Sequence, residues 1–109
     1  MKYKYGEFSQ DQIREIKKMM RKKIFFLLLC ADGSLGEQYK NIDIATAIES
    51  LLTELDGLND LLMNPPEIIT AMGILVSAKK ELLKENYNFG VFRKLILGAG
   101  VEVEKIKEE

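Results

Sequence analysis

Apolar positions recur at helical spacing in four segments of this chain. In the first, Ile13, Ile16, Met20, Ile24, Leu27 and Ala31 share a face about 80° wide when each residue is turned by about 100°. Ser9 and Gln12 stand at the spacing of a capping box, which starts the helix near Gln10. The far side changes along its length. Arg14, Lys17, Lys18, Arg21 and Lys22 come first, followed by Phe25, Leu28 and Leu29. This pattern predicts a helix over 10–32, wetted on one side in its first half and enclosed on most sides in its second. Asp32-Gly33-Ser34-Leu35-Gly36 then reads as a helix stop and a loop running to about Asn41.

The second segment has the cleanest stripe. Ile44, Ala47, Ile48, Leu51, Leu55, Leu58 and Leu62 fall within about 100° of arc, predicting a helix over 42–63. Glu49, Thr53, Asp56, Asp60 and Gly57 take the opposite side, and Gly57 marks a bend or a break into two shorter helices. Asn64-Pro65-Pro66-Glu67 ends this helix and opens the next, with Asn64 as N-cap, a proline at the first helical place and Glu67 near the positive end of the dipole. The third helix, over 65–85, carries Ile68, Ile69, Ala71, Met72, Leu75, Val76, Ala78, Leu82 and Leu83 on nearly half its circumference. A face of that width contacts two neighbours. Lys79 falls inside it, snorkelling at the core's edge or, as the alternative, making a buried pairing with an acid of the second helix. Asn88 caps a fourth helix, over 89–105, that buries Val91, Phe92, Leu95, Ile96, Ala99 and Val103.

Gly98 and Gly100 weaken the end of that helix, so two outcomes compete. The helix continues, or Val101-Glu102-Val103-Glu104 forms an alternating strand paired with Lys2-Tyr3-Lys4-Tyr5. The helix is the expected outcome. The fold class is therefore all-α: one domain, a compact antiparallel bundle of four main helices, with a short terminal β-ribbon as the variant.

Composition narrows the chemistry. The 109 residues are 47% hydrophobic and 30% charged, a globular balance. There is no His, so no Ser-His-Asp or Cys-His arrangement can form within the chain. The single thiol, Cys30, cannot make an intramolecular disulfide or a Cys-rich zinc site, and it reads as a small buried hydrophobe. The Asp32 segment fails as a calcium loop, because Glu37 holds the place of the sharp-turn glycine. No metal, cofactor or catalytic residue is expected. The longest apolar run, Ile24 to Ala31, is eight residues, against roughly 20 for a membrane span. A soluble, cytoplasmic protein without a membrane partner is the expectation.

Charge is sorted along the chain although the net is only −1. Residues 1–30 carry eight Lys/Arg against three Asp/Glu, and residues 31–70 carry one against eight. On the first helix Arg14, Lys17, Lys18, Arg21 and Lys22 form a basic flank. Its plainest role is a solvated face pairing with the second helix. It also suits an acidic protein partner or nucleic-acid phosphates. Glu49, Asp56 and Asp60, with Asp43 and Glu54 nearby, form an acidic flank suited to a basic groove on a protein partner. Tyr3, Tyr5 and Tyr39 are candidate aromatic contacts. No phosphate loop, dinucleotide fingerprint or metalloprotease motif occurs.

Tyr5-Gly6-Glu7-Phe8, Arg21 through Leu29 and Phe92-Arg93-Lys94-Leu95-Ile96-Leu97 resemble stretches of small hypothetical proteins from phages and mobile elements of low-GC Gram-positive bacteria. The resemblance implies a class of small accessory proteins that often act by binding a host protein. Inhibitors of bacterial defence systems, anti-CRISPR proteins among them, belong to that class. The expected function is non-enzymatic binding of another protein. A nucleic-acid-binding accessory protein using the basic flank is the alternative, as is a homo-oligomeric structural protein using Met19, Phe25 or Phe26.

Overall fold

Ser9 and Gln12 close the capping box that the sequence predicts. The Ser9 amide donates to Gln12 Oε1 at 2.8 Å, and the Gln12 amide donates to Ser9 Oγ at 3.1 Å. The helix they start, α1, spans Gln10–Asp32. Three further helices follow: α2 (Ile44–Leu61), α3 (Pro66–Leu82) and α4 (Phe89–Glu104). This is a computed structural model, and it describes residues 2–3, 6–32 and 43–107.

Local chemistry explains most helix ends. Asp43 caps α2 by accepting from the Thr46 amide, and Asn88 caps α4 by accepting from the Val91 amide. The corner between α2 and α3 departs from expectation. Pro65, not Asn64, is the N-cap of α3, and it offers no side-chain hydrogen bond. Asn64 instead completes a Schellman ending of α2. Its amide donates to the Asn59 carbonyl at 2.7 Å, and the Met63 amide donates to the Asp60 carbonyl at 3.2 Å. Met63 and Asn64 both hold positive φ, near 64° and 62°. Gly57 neither breaks nor splits α2, which runs unbroken across it.

Val101 to Glu104 are the last turn of α4. The ribbon joining them to the N-terminus does not form. Lys2–Tyr3 (β1) pairs instead with Gly6–Glu7 (β2), antiparallel, two residues a side.

The four helices close a ring in which α1 packs on α4 and α2, and α3 packs on α2 and α4. Every neighbouring pair is antiparallel. Lys23 meets Glu54 across α1–α2, Glu49 meets Lys79 across α2–α3, and Arg21 meets Glu104 across α4–α1. The core runs down the middle of a body of 44 × 24 × 19 Å. Its fully enclosed side chains include Ile13, Ile24, Ile48, Leu55, Ile68, Leu75, Phe92, Ile96 and Val103. All four predicted stripes contribute. The wide face expected on α3 is narrower in fact, because Ile69, Val76 and Leu83 stay exposed while Ile68, Ala71, Leu75 and Ala78 are buried. Val91, also expected inside, is exposed too.

Candidate functional site

The basic flank of α1 does not survive intact. Lys17 is only 5% exposed, and its Nζ donates to the Ile106 carbonyl at 2.9 Å. The ammonium thus caps the chain just beyond α4, where helix carbonyls lack intrahelical donors. It is a structural tie and not part of the outward flank. In the sequence it groups with the polar flank, although at about 100° per residue it lies only about 20° from Ile24, at the border of the apolar stripe. The segment just beyond α4 supplies an acceptor to this position next to the core.

Arg14, Lys18, Arg21 and Lys22 do face outward. Arg14 lies 3.3 Å from Asp11, and Arg21 lies 2.9 Å from Glu104 across the α1–α4 seam. The pairing with α2 expected of this flank is made instead by Lys23, 2.6 Å from Glu54. The acidic flank lies on the α3 side of α2. Its Glu49 binds Lys79, which sits half-buried at the core's edge as expected; the pair is partly exposed and is not the buried pairing of the alternative. Asp56 and Asp60 continue that flank toward solvent. The acidic and basic flanks therefore occupy opposite sides of the ring. Tyr3 lies in β1 opposite Gly6, and Tyr5 and Tyr39 fall outside the described residues. The loop expected after Asp32 falls outside them as well.

The second half of α1 holds the feature that sequence reasoning missed. Expected to be enclosed, it leaves Phe25 49% exposed and Phe26 36% exposed. Phe25 overhangs a groove of about 370 Å³ between α1 and α4. Buried Ile24 and Ile96 lie at its base with Gly100, while Leu97 (37% exposed) and Val101 (55%) form the other wall. Arg21, Glu104 and Lys105 stand at one end. Phe26 borders a second, shallower recess between α1 and α2 with Leu27, Ala47 and Leu51. A signal for this was present in the sequence. Six consecutive apolar residues, Ile24 to Leu29, point in every direction around a helix that touches two neighbours.

Several titratable groups are engaged in structure. Glu81, almost wholly buried, accepts from the Asn88 amide at 3.2 Å and lies 2.9 Å from Lys84, closing the α3–α4 corner. The Lys84 ammonium holds its carboxyl below the usual range against the opposing effect of burial. Asp43 is likewise lowered by the hydrogen bonds from Thr46. Burial pushes the half-buried Cys30 thiol up, away from the reactive thiolate. Among the described residues no three metal-ligating side chains converge, and no helix is long and apolar enough to cross a membrane. The arrangement is an apolar groove with Arg21, Glu104 and Lys105 at one end. No protein-family model, curated protein or solved structure matches the chain.

Proposed function

We propose that this chain is a non-enzymatic binding protein that holds another protein on the face formed by α1 and α4. The observation that carries this reading is the convergence of exposed Phe25, Leu97 and Val101 on one groove. Large apolar side chains left in water at adjacent positions mark a contact surface more than a solvated one. Covering each of them is worth on the order of 1 kcal/mol. A partner that fills the groove gains this while the bundle, whose core is already closed, need not rearrange. The resemblance to small phage and mobile-element proteins makes a bacterial defence protein the class of partner we expect, with this chain as its inhibitor or regulator.

The test is a photo-crosslinking amino acid placed at Val101 and, as a control, at exposed Thr53 on α2, each expressed in bacteria as the full chain. A discrete adduct with another protein from Val101, absent from Thr53, is the expected result. Equal labelling from both positions would overturn the reading. So would a nuclease-sensitive adduct, which points to phosphate contact through Lys18 and Lys22, or one made only of two copies of this chain.

A further inference from the structure

We infer that the occupant of the α1–α4 groove is an acidic amphipathic helix. This rests on the reading of that face as a protein-binding surface and adds the chemistry of the partner. Shape comes first. The groove is concave and follows α4 from Leu97 to Glu104, about two helical turns or about 10 Å. That length suits a helix presenting apolar side chains at i, i+3 or i+4, and i+7. Gly100 lies midway, and a Cβ added there meets nothing within 4 Å. An incoming side chain can therefore descend between Phe25 and Val101 toward Ile24 and Ile96.

Charge then selects the kind of helix. Arg93 and Lys94, four and three residues before Leu97 on α4, extend that wall of the groove by one turn and are exposed, whereas the exposed Lys18 and Lys22 border other recesses of α1, beside Glu15 and toward α2. None of these four makes an ion pair among the described residues, whereas Arg21 and Lys105 are matched by Glu104 and Glu102. Two cations of α4 thus continue one wall of the apolar groove with charge to spare. The acidic flank of Glu49, Asp56 and Asp60 lies across the bundle, on the α3 side of α2, and does not oppose an acidic ligand. An anionic membrane would be met better by a protruding apolar ridge than by a recess. A nucleic-acid backbone would use the cations but leave Phe25, Leu97 and Val101 uncovered.

The experiment is a selection of displayed helical peptides on the immobilised full chain. The library carries apolar residues at helical spacing and an equal choice of Glu or Lys at the flanking positions. Recovered peptides are then titrated by fluorescence anisotropy against the natural chain, Gly100→Leu, which fills the groove, and the double variant Arg93→Glu with Lys94→Glu. Circular dichroism checks that both variants remain helical. The expected result is enrichment of Glu over Lys at the flanks, with affinity falling about tenfold in Gly100→Leu and about fivefold in the charge-reversed variant. Peptides enriched in Lys, or indifferent to flanking charge, yet still lost in Gly100→Leu would overturn the acidic occupant and leave the binding face standing. Peptides indifferent to Gly100→Leu would overturn both. Failure to recover any helix above background, with tighter capture of phosphatidylserine vesicles or duplex DNA, would overturn the inference in favour of those ligands.

Discussion

Lys17 shows how one side chain can belong to the core by position and to a helix end by chemistry. Its stem runs along the apolar stripe of α1, while its ammonium supplies a donor to the carbonyl of Ile106, 89 residues away. Lys17→Met keeps the stem and deletes the donor, leaving a shielded carbonyl without it. Stability should fall by about 2 kcal/mol, read from the midpoint of urea unfolding. Met63 holds the opposite situation. It occupies the left-handed place of a Schellman ending with an exposed side chain, where an L residue with a Cβ is disfavoured. Met63→Gly should raise stability by about 0.5–1 kcal/mol in the same assay. At Glu81 the prediction concerns pH. Its folded-state pKa is lowered, chiefly by Lys84, so the unfolded chain binds the proton more readily. Stability supplied by Glu81 is complete above the ordinary carboxylate range and is lost as pH falls through the folded-state value. Unfolding measured from about pH 7 down to about pH 3 should therefore show a shallower acid decline in Glu81→Gln than in the natural chain.

Single elements are where sequence and structure agree best. The capping box at Ser9 and Gln12 and the cap at Asn88 lie within a few residues of the groups they satisfy, and the proline at the start of α3 acts through its own fixed φ. Such signals act through the backbone of one turn, so they can be read without knowing what the helix packs on. Gly57 is the informative failure. An exposed glycine weakens a helix, yet Ile48, Leu51, Leu55 and Leu58 anchor α2 on both sides of it, and packing outweighs propensity. A Cβ at Gly57 meets nothing within 4 Å. Gly57→Ala should consequently stabilise the protein by about 0.5–1 kcal/mol, visible as a higher thermal midpoint. The continuation of α4 past Gly98 and Gly100 has the same origin, since Ala99 and Val103 are both buried against the bundle.

At the scale of the whole molecule, two phenylalanines separate the fold from the face it presents. Phe92 is fully buried, with the Tyr87 ring 6.1 Å away edge-on, and Phe92→Ala should cost about 3–5 kcal/mol in chemical denaturation. Phe25 is half in water, and Phe25→Ser should change stability by less than about 1 kcal/mol while removing one wall of the groove. Near-equal losses from the two substitutions would mean that Phe25 belongs to the core. The amino-acid sequence by itself determined the number of helices, their approximate ends and the buried stripe of each, because periodicity and capping act over a single turn. Only the tertiary structure decided that Lys17 turns inward, that Glu49 is taken up by Lys79, and that Phe25, Leu97 and Val101 remain uncovered around Gly100. Those outcomes depend on which helix lies alongside, and on how much of each circumference a ring of four can reach. Neither quantity is contained in the spacing of residues along one helix.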